Sequence, residues 1–135
     1  MSDLKISQLA NATTPLTGSE QVPLVQSGAT KKSTVADVNL CKAWVKFRGS
    51  DGAVLGGFNV SSVTRISDGV YRVNLTNALT DANFAVIATP DIQGGVTLAT
   101  MASAAAASTS SADVYVSNYL GTQFNPSAVH VAIFR

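Results

Sequence analysis

Glutamate is all but missing from this chain: Glu20 is the only one in 135 residues. Glutamate loses little rotamer freedom in a helix, so its scarcity beside recurrent threonine, serine, valine and asparagine favours strands and turns. Charge of either sign is scarce too. Nine lysines and arginines stand against eight acids, charged residues make up 13% of the chain and the formal net charge is +1. No long-range field therefore draws the protein towards nucleic acid or anionic lipid. The single cysteine, Cys41, excludes a disulfide within one chain and a cysteine cluster for a metal, and is expected to be a small buried thiol. No stretch approaches the ~18 apolar residues of a membrane helix. The start, Met1-Ser2-Asp3-Leu4-Lys5, lacks a basic segment followed by an apolar one. Neither membrane insertion nor export is expected, so the sequons at Asn11, Asn59 and Asn74 are read as ordinary polar strand and turn residues.

Hydrophobic residues, at 46% of the chain, suit a folded protein and not a disordered tail. Residues 1–40 read as a compact module with a turn-like start at Ile6-Ser7-Gln8-Leu9. In Val22-Pro23-Leu24-Val25-Gln26 the proline has no amide to donate, which predicts an edge strand. Ser27-Gly28-Ala29 supplies a hairpin loop of about three residues, and Thr30-Lys31-Lys32-Ser33 returns as the second arm. Thr34 and Asp37 fit the cap and first turn of the only helix expected, a short one over 35–40.

From Ala43 onward, short β runs at 44–48, 58–66, 70–75, 83–88, 113–117 and 128–134 are separated by glycine, aspartate and asparagine. Val70-Tyr71-Arg72-Val73-Asn74-Leu75 alternates with the period that puts one face on a core and the other in water. Asn83-Phe84-Ala85-Val86-Ile87-Ala88 is almost continuously apolar, which suits a central strand ended by Pro90. The alanine, serine and threonine stretch 99–112 reads as a small-residue strand leading into a mobile loop, or more sharply as a surface for close approach between subunits. The predicted fold is all-β: an antiparallel sandwich over 41–135, preceded by an N-terminal hairpin module with at most one short helix.

Catalytic constellations are not legible. His130, the only histidine, falls in an alternating strand and reads as a polar group on a solvent face and not a general base. Most of the acids lie in turn or cap contexts. No two are marked by spacing as the pair of carboxylates, roughly 5–9.5 Å apart, that cleaves a glycoside, although a pair assembled between subunits stays open. Gly56-Gly57 and Gly94-Gly95 lack the sequel of a phosphate-binding loop and look like bulges or bends. No enzyme activity, cofactor or metal is expected. Tyr115, Tyr119 and Phe124 are the aromatics that could touch a ligand. Aromatics beside amides in the loop 120–126 suit a sugar-contacting surface, which makes Tyr119, Gln123, Phe124 and Asn125 the candidate contact residues. Simple packing is the competing reading.

Two groups of segments resemble structural proteins of tailed bacteriophages. Lys5-Ile6-Ser7-Gln8-Leu9, Leu16-Thr17-Gly18-Ser19-Glu20-Gln21-Val22-Pro23-Leu24-Val25-Gln26 and Gly28-Ala29-Thr30-Lys31-Lys32-Ser33-Thr34-Val35-Ala36-Asp37-Val38 together are similar to an N-terminal module of tail-fibre and related virion proteins. Ala43-Trp44-Val45-Lys46-Phe47, Phe58-Asn59-Val60-Ser61-Ser62-Val63-Thr64, Gly69-Val70-Tyr71-Arg72-Val73-Asn74-Leu75-Thr76, Ala82-Asn83-Phe84-Ala85-Val86 and Val129-His130-Val131-Ala132-Ile133-Phe134 resemble the C-terminal β domain of such fibres. The resemblance implies a virion protein, homotrimeric, docked on other virion proteins through residues 1–40 and projecting its β domain towards host surface polysaccharide. The long shaft of a typical tail fibre is missing. A stubby tail fibre, a head fibre and a capsid decoration subunit without receptor binding all fit, and a polysaccharide-cleaving enzyme is the alternative from another class.

Overall fold

The computed structural model describes residues 19, 21–35, 41–91 and 100–135. The chain divides into two compact units, Met1–Asn39 and Leu40–Arg135. In the first, β1 (Gln21–Gln26) and β2 (Ala29–Thr34) form a hairpin in which Gln26 pairs with Ala29. Its turn is therefore Ser27-Gly28, one residue shorter than the sequence suggests. Both turn residues have left-handed backbone, with φ of 53° and 75°; this is the primed turn whose twist matches that of the strands it joins. Pro23 sits in a two-stranded sheet, where every strand is an edge. The turn-like start and, beyond Val35, the expected helix lie outside the described residues.

The second unit contains β3 (Cys41–Phe47), β4 (Val54–Phe58), β5 (Val60–Ser67), β6 (Val70–Leu75), β7 (Ala85–Pro90), β8 (Thr100–Ser108), β9 (Ser111–Asn118) and β10 (Val129–Phe134). They form two four-stranded antiparallel sheets, ordered β4-β3-β10-β7 and β5-β6-β9-β8. Period-two alternation fills the space between the sheets. Ala43, Val45 and Phe47 point inward from β3, Val129, Val131 and Ile133 from β10, Tyr71, Val73 and Leu75 from β6, and Ala112, Val114 and Val116 from β9. These come from the two inner strands of each sheet, where both backbone edges are paired and one face is dry. Phe47 and Tyr71 meet edge to face, with ring centroids 5.0 Å apart.

Four expectations give way to the structure. The run Phe58 to Ile66, read as one strand, breaks at Asn59, whose φ of 55° turns the chain from one sheet into the other. Asparagine tolerates this conformation because its short amide bonds locally. Here Asn59 accepts the Asn77 amide N–H at 2.8 Å and donates to the carbonyls of Lys42 and Asn77 at 3.0 and 3.2 Å. The apolar run 83–88 makes an edge strand, not a central one. β7 pairs only with β10, Pro90 is its last residue, and Ile87 is 58% exposed. A second apolar face there signals an uncovered surface instead of two-sided burial. The stretch 99–112 contains the expected strand, β8, but the loop after it is a tight Thr109-Ser110 turn into β9. Cys41 is only part-buried, with its Sγ 3.5 Å from the Ala43 carbonyl oxygen.

The ends of the sandwich differ. Cys41, at the start of β3, pairs with Phe134 at the finish of β10, so the chain enters and leaves at one end. At the opposite end lie the turns 48–53 and 68–69 and the loop 119–128, joined across the sheets by the Tyr71 hydroxyl 3.0 Å from the Gly49 carbonyl.

Candidate functional site

The four loop residues singled out from the sequence separate into two pairs. Phe124 packs against the core. Asn125 is the hub of the loop end: its Oδ1 accepts from the Gly69 amide at 3.1 Å, Arg65 Nε at 3.2 Å and the Tyr71 hydroxyl at 2.9 Å, while its Nδ2 donates to Asp68 at 2.7 Å. Arg65 also pairs with Asp68. The single Tyr71 proton is shared between Asn125 and Gly49, and burial pushes the phenol's pKa up, so the group stays a donor across the neutral range. Tyr119 and Gln123, by contrast, are exposed.

What holds Gln123 in place is Asn118. Its side-chain oxygen accepts the amides of Leu120 and Thr122 at 3.0 and 2.9 Å, and its own amide donates to the Thr122 carbonyl at 2.9 Å. That tight reversal sets Gln123 opposite Ser117 as an extra bridge on β9. Cross-strand partners share a face, and the register then gives two adjoining rows on the outside of the second sheet. One is Gln123, Ser117 and Met101; the other is Val70, Tyr115 and Ser103. Between them lies an open hollow of about 170 Å³ lined by Met101, Ala102, Ser103, Tyr115, Val116, Ser117, Gly121 and Gln123. The sequence names Tyr115 and Gln123, but nothing in it signals Ser103, Ser117 or Met101, because only strand register brings them together.

The next row carries an ion pair, Arg72 and Asp113, on neighbouring strands β6 and β9. It is bidentate, with Nε to Oδ1 at 2.7 Å and Nη2 to Oδ2 at 2.9 Å. The hydrogen bonds from Arg72 hold the Asp113 carboxyl below its ordinary pKa, against the opposing effect of partial burial. Because this carboxyl titrates lower folded than unfolded, its stabilisation is complete above the unfolded value near pH ~3.9 and is lost as pH falls through the folded value. The stability difference between the native chain and Asp113→Asn should therefore be constant from neutral pH down to about 5 and shrink below about 4. Urea midpoints measured across that range check it; a difference that grows on acidification contradicts it.

The outer face of the first sheet has other chemistry. Phe58, Trp44, Ala132 and Ile87 stand in one row across all four strands, with Phe134 nearer the start of β3. Trp44 is 46% and Ile87 58% exposed. Towards the loop end, His130 Nε2 lies 2.8 Å from Asp91, which also faces Lys46 at 3.7 Å. Among the described residues no three histidine, cysteine or acidic side chains gather as they would around a metal.

Compared with known proteins, the chain matches no family model, no curated protein and no solved structure.

Proposed function

We propose that this chain is a structural subunit of a tailed-bacteriophage particle, a short homotrimeric fibre or knob held through its N-terminal unit and presenting the loop end of its sandwich to host surface glycans. The observation that carries this reading is the polarity of the sandwich. Cys41 and Phe134 pair at one end of the sandwich, and the turns 48–53 and 68–69 and the loop 119–128 lie at the other. A domain tethered at one end offers the opposite loops to a partner. The two groups of sequence segments that resemble fibre proteins also fall one in each compact unit.

Self-association is supported by the first sheet's outer row. Aromatic and branched side chains side by side across a sheet, with little charge, form the kind of surface that oligomers cover. In the double variant Trp44→Glu/Ile87→Lys the subunits should separate. Sedimentation should then give a monomer with the native β spectrum, against an expected trimer for the native chain; an unchanged trimer would remove this face from the interface. The function itself is tested by gold-labelled antibody on intact phage particles. Label at the tail fits a fibre, label on the capsid fits a head fibre or decoration subunit, and particles without label sink the reading.

A further inference from the structure

We infer that the hollow on the second sheet is a binding subsite for one neutral pyranose ring, with Tyr115 as its stacking platform and Ser103, Ser117 and Gln123 as its hydrogen-bonding rim. This rests on the glycan-contact reading above and gives it a location. Size bounds the ligand first. At about 170 Å³ and open to solvent, the hollow falls below the ~300–1,000 Å³ of sites that enclose drug-sized ligands, so it suits a single ring lying half in water.

Charge bounds it next. Among the described residues no charged side chain lines the hollow, and the ion pair in the next row, Arg72 with Asp113, is satisfied by its own two hydrogen bonds. An anionic ligand would find no partner there and would lose hydration without compensation. A sugar presents hydroxyls that both donate and accept, plus a face of C–H groups. Serine hydroxyls and a carboxamide supply both hydrogen-bonding roles, and the ring of Tyr115 supplies the flat apolar partner.

The hydrogen-bond inventory of the same sheet sets these residues apart from most of their neighbours. Elsewhere on its outer face Asn74 is bonded to Ser62 and Thr64 and Ser108 to Ser111, while Ser67, opposite Val70 in the row of Tyr115, is unbonded as well. Among the described residues, the side chains of Ser103, Ser117, Tyr115 and Gln123 take part in no such bond, although they stand side by side. Tyr115 lies on an inner strand of its sheet, between Val70 and Ser103. Its backbone is thus held before a ligand arrives, so only side-chain freedom is lost on binding.

Titrating the full-length, isotope-labelled protein with the methyl glycosides of glucose, galactose, mannose and N-acetylglucosamine, and with sialic acid as the charged control, tests the site. At least one neutral glycoside should move the amide signals of 101–103, 115–117 and 121–123. Tyr115→Ala should weaken that binding about tenfold or more, and Gln123→Ala should weaken it less, with signals from the core strands unchanged in both. The inference is overturned if no neutral glycoside moves those signals, if the movements survive Tyr115→Ala, or if sialic acid binds as well. None of those results bears on where antibody labels the particle, so this site can fail while the virion reading stands.

Discussion

Gly69→Ala is expected to destabilise the sandwich by about 3–5 kcal/mol, a large fraction of the total stability of a domain this size. Gly69 closes the β5–β6 turn with φ of +67°, and any side chain pays about 1–2 kcal/mol for that left-handed backbone. The larger part is steric. A Cβ at this position would lie 2.3 Å from the Val116 carbonyl oxygen and 3.0 Å from the Phe124 amide, both backbone atoms of the core edge that cannot swing aside. Moving them would also stretch the hydrogen bond from the Val116 amide to the Gly69 carbonyl, 2.7 Å long. Gly121 supplies the comparison: its φ is +80°, yet nothing lies within 4 Å of its would-be Cβ, so Gly121→Ala should show only the backbone share of about 1–2 kcal/mol. Urea unfolding of both variants decides it, and equal losses would refute the steric account.

Asn125→Ala should lower stability by about 1–2 kcal/mol, since it leaves the part-buried Gly69 amide without its acceptor. The side chain joins the loop 119–128 to the β5–β6 turn and to the core through Gly69, Arg65, Asp68 and Tyr71. Tyr71 keeps its bond to the Gly49 carbonyl and Arg65 its pair with Asp68, so the orphaned group is mainly the Gly69 amide. A melting temperature lowered by several degrees, with glycoside titration unchanged below the transition, would mark Asn125 as a residue that holds the loop. Undiminished stability would remove it from that role.

How far the loop can be read from sequence follows from the same residues. Asn125 and Gln123 are both amides beside an aromatic in a glycine- and proline-containing loop, and composition treats them alike. The fold separates them by where each amide points: Asn125 reaches into the end of the sandwich, and Gln123 is laid along β9 by the reversal at Asn118. Ser103 and Ser117 lie 14 positions apart and become neighbours only because β8 folds back on β9 at Thr109-Ser110. A similar lesson holds at Asn59. Its neighbours Phe58 and Val60 both favour strand, so the local pattern reads as continuous, and only a positive φ at the asparagine splits it between sheets.

The sequence by itself determined that this chain builds strands, where most of them run and which side chains face the core, because alternation and turn chemistry are local properties of a chain that buries one face. Tertiary structure decided which strands are edges, which loops gather at one end of the sandwich, and which polar residues stand together unbonded on its surface. Those depend on the register between strands distant in sequence, which is fixed by burying the whole core at once and not by any single segment.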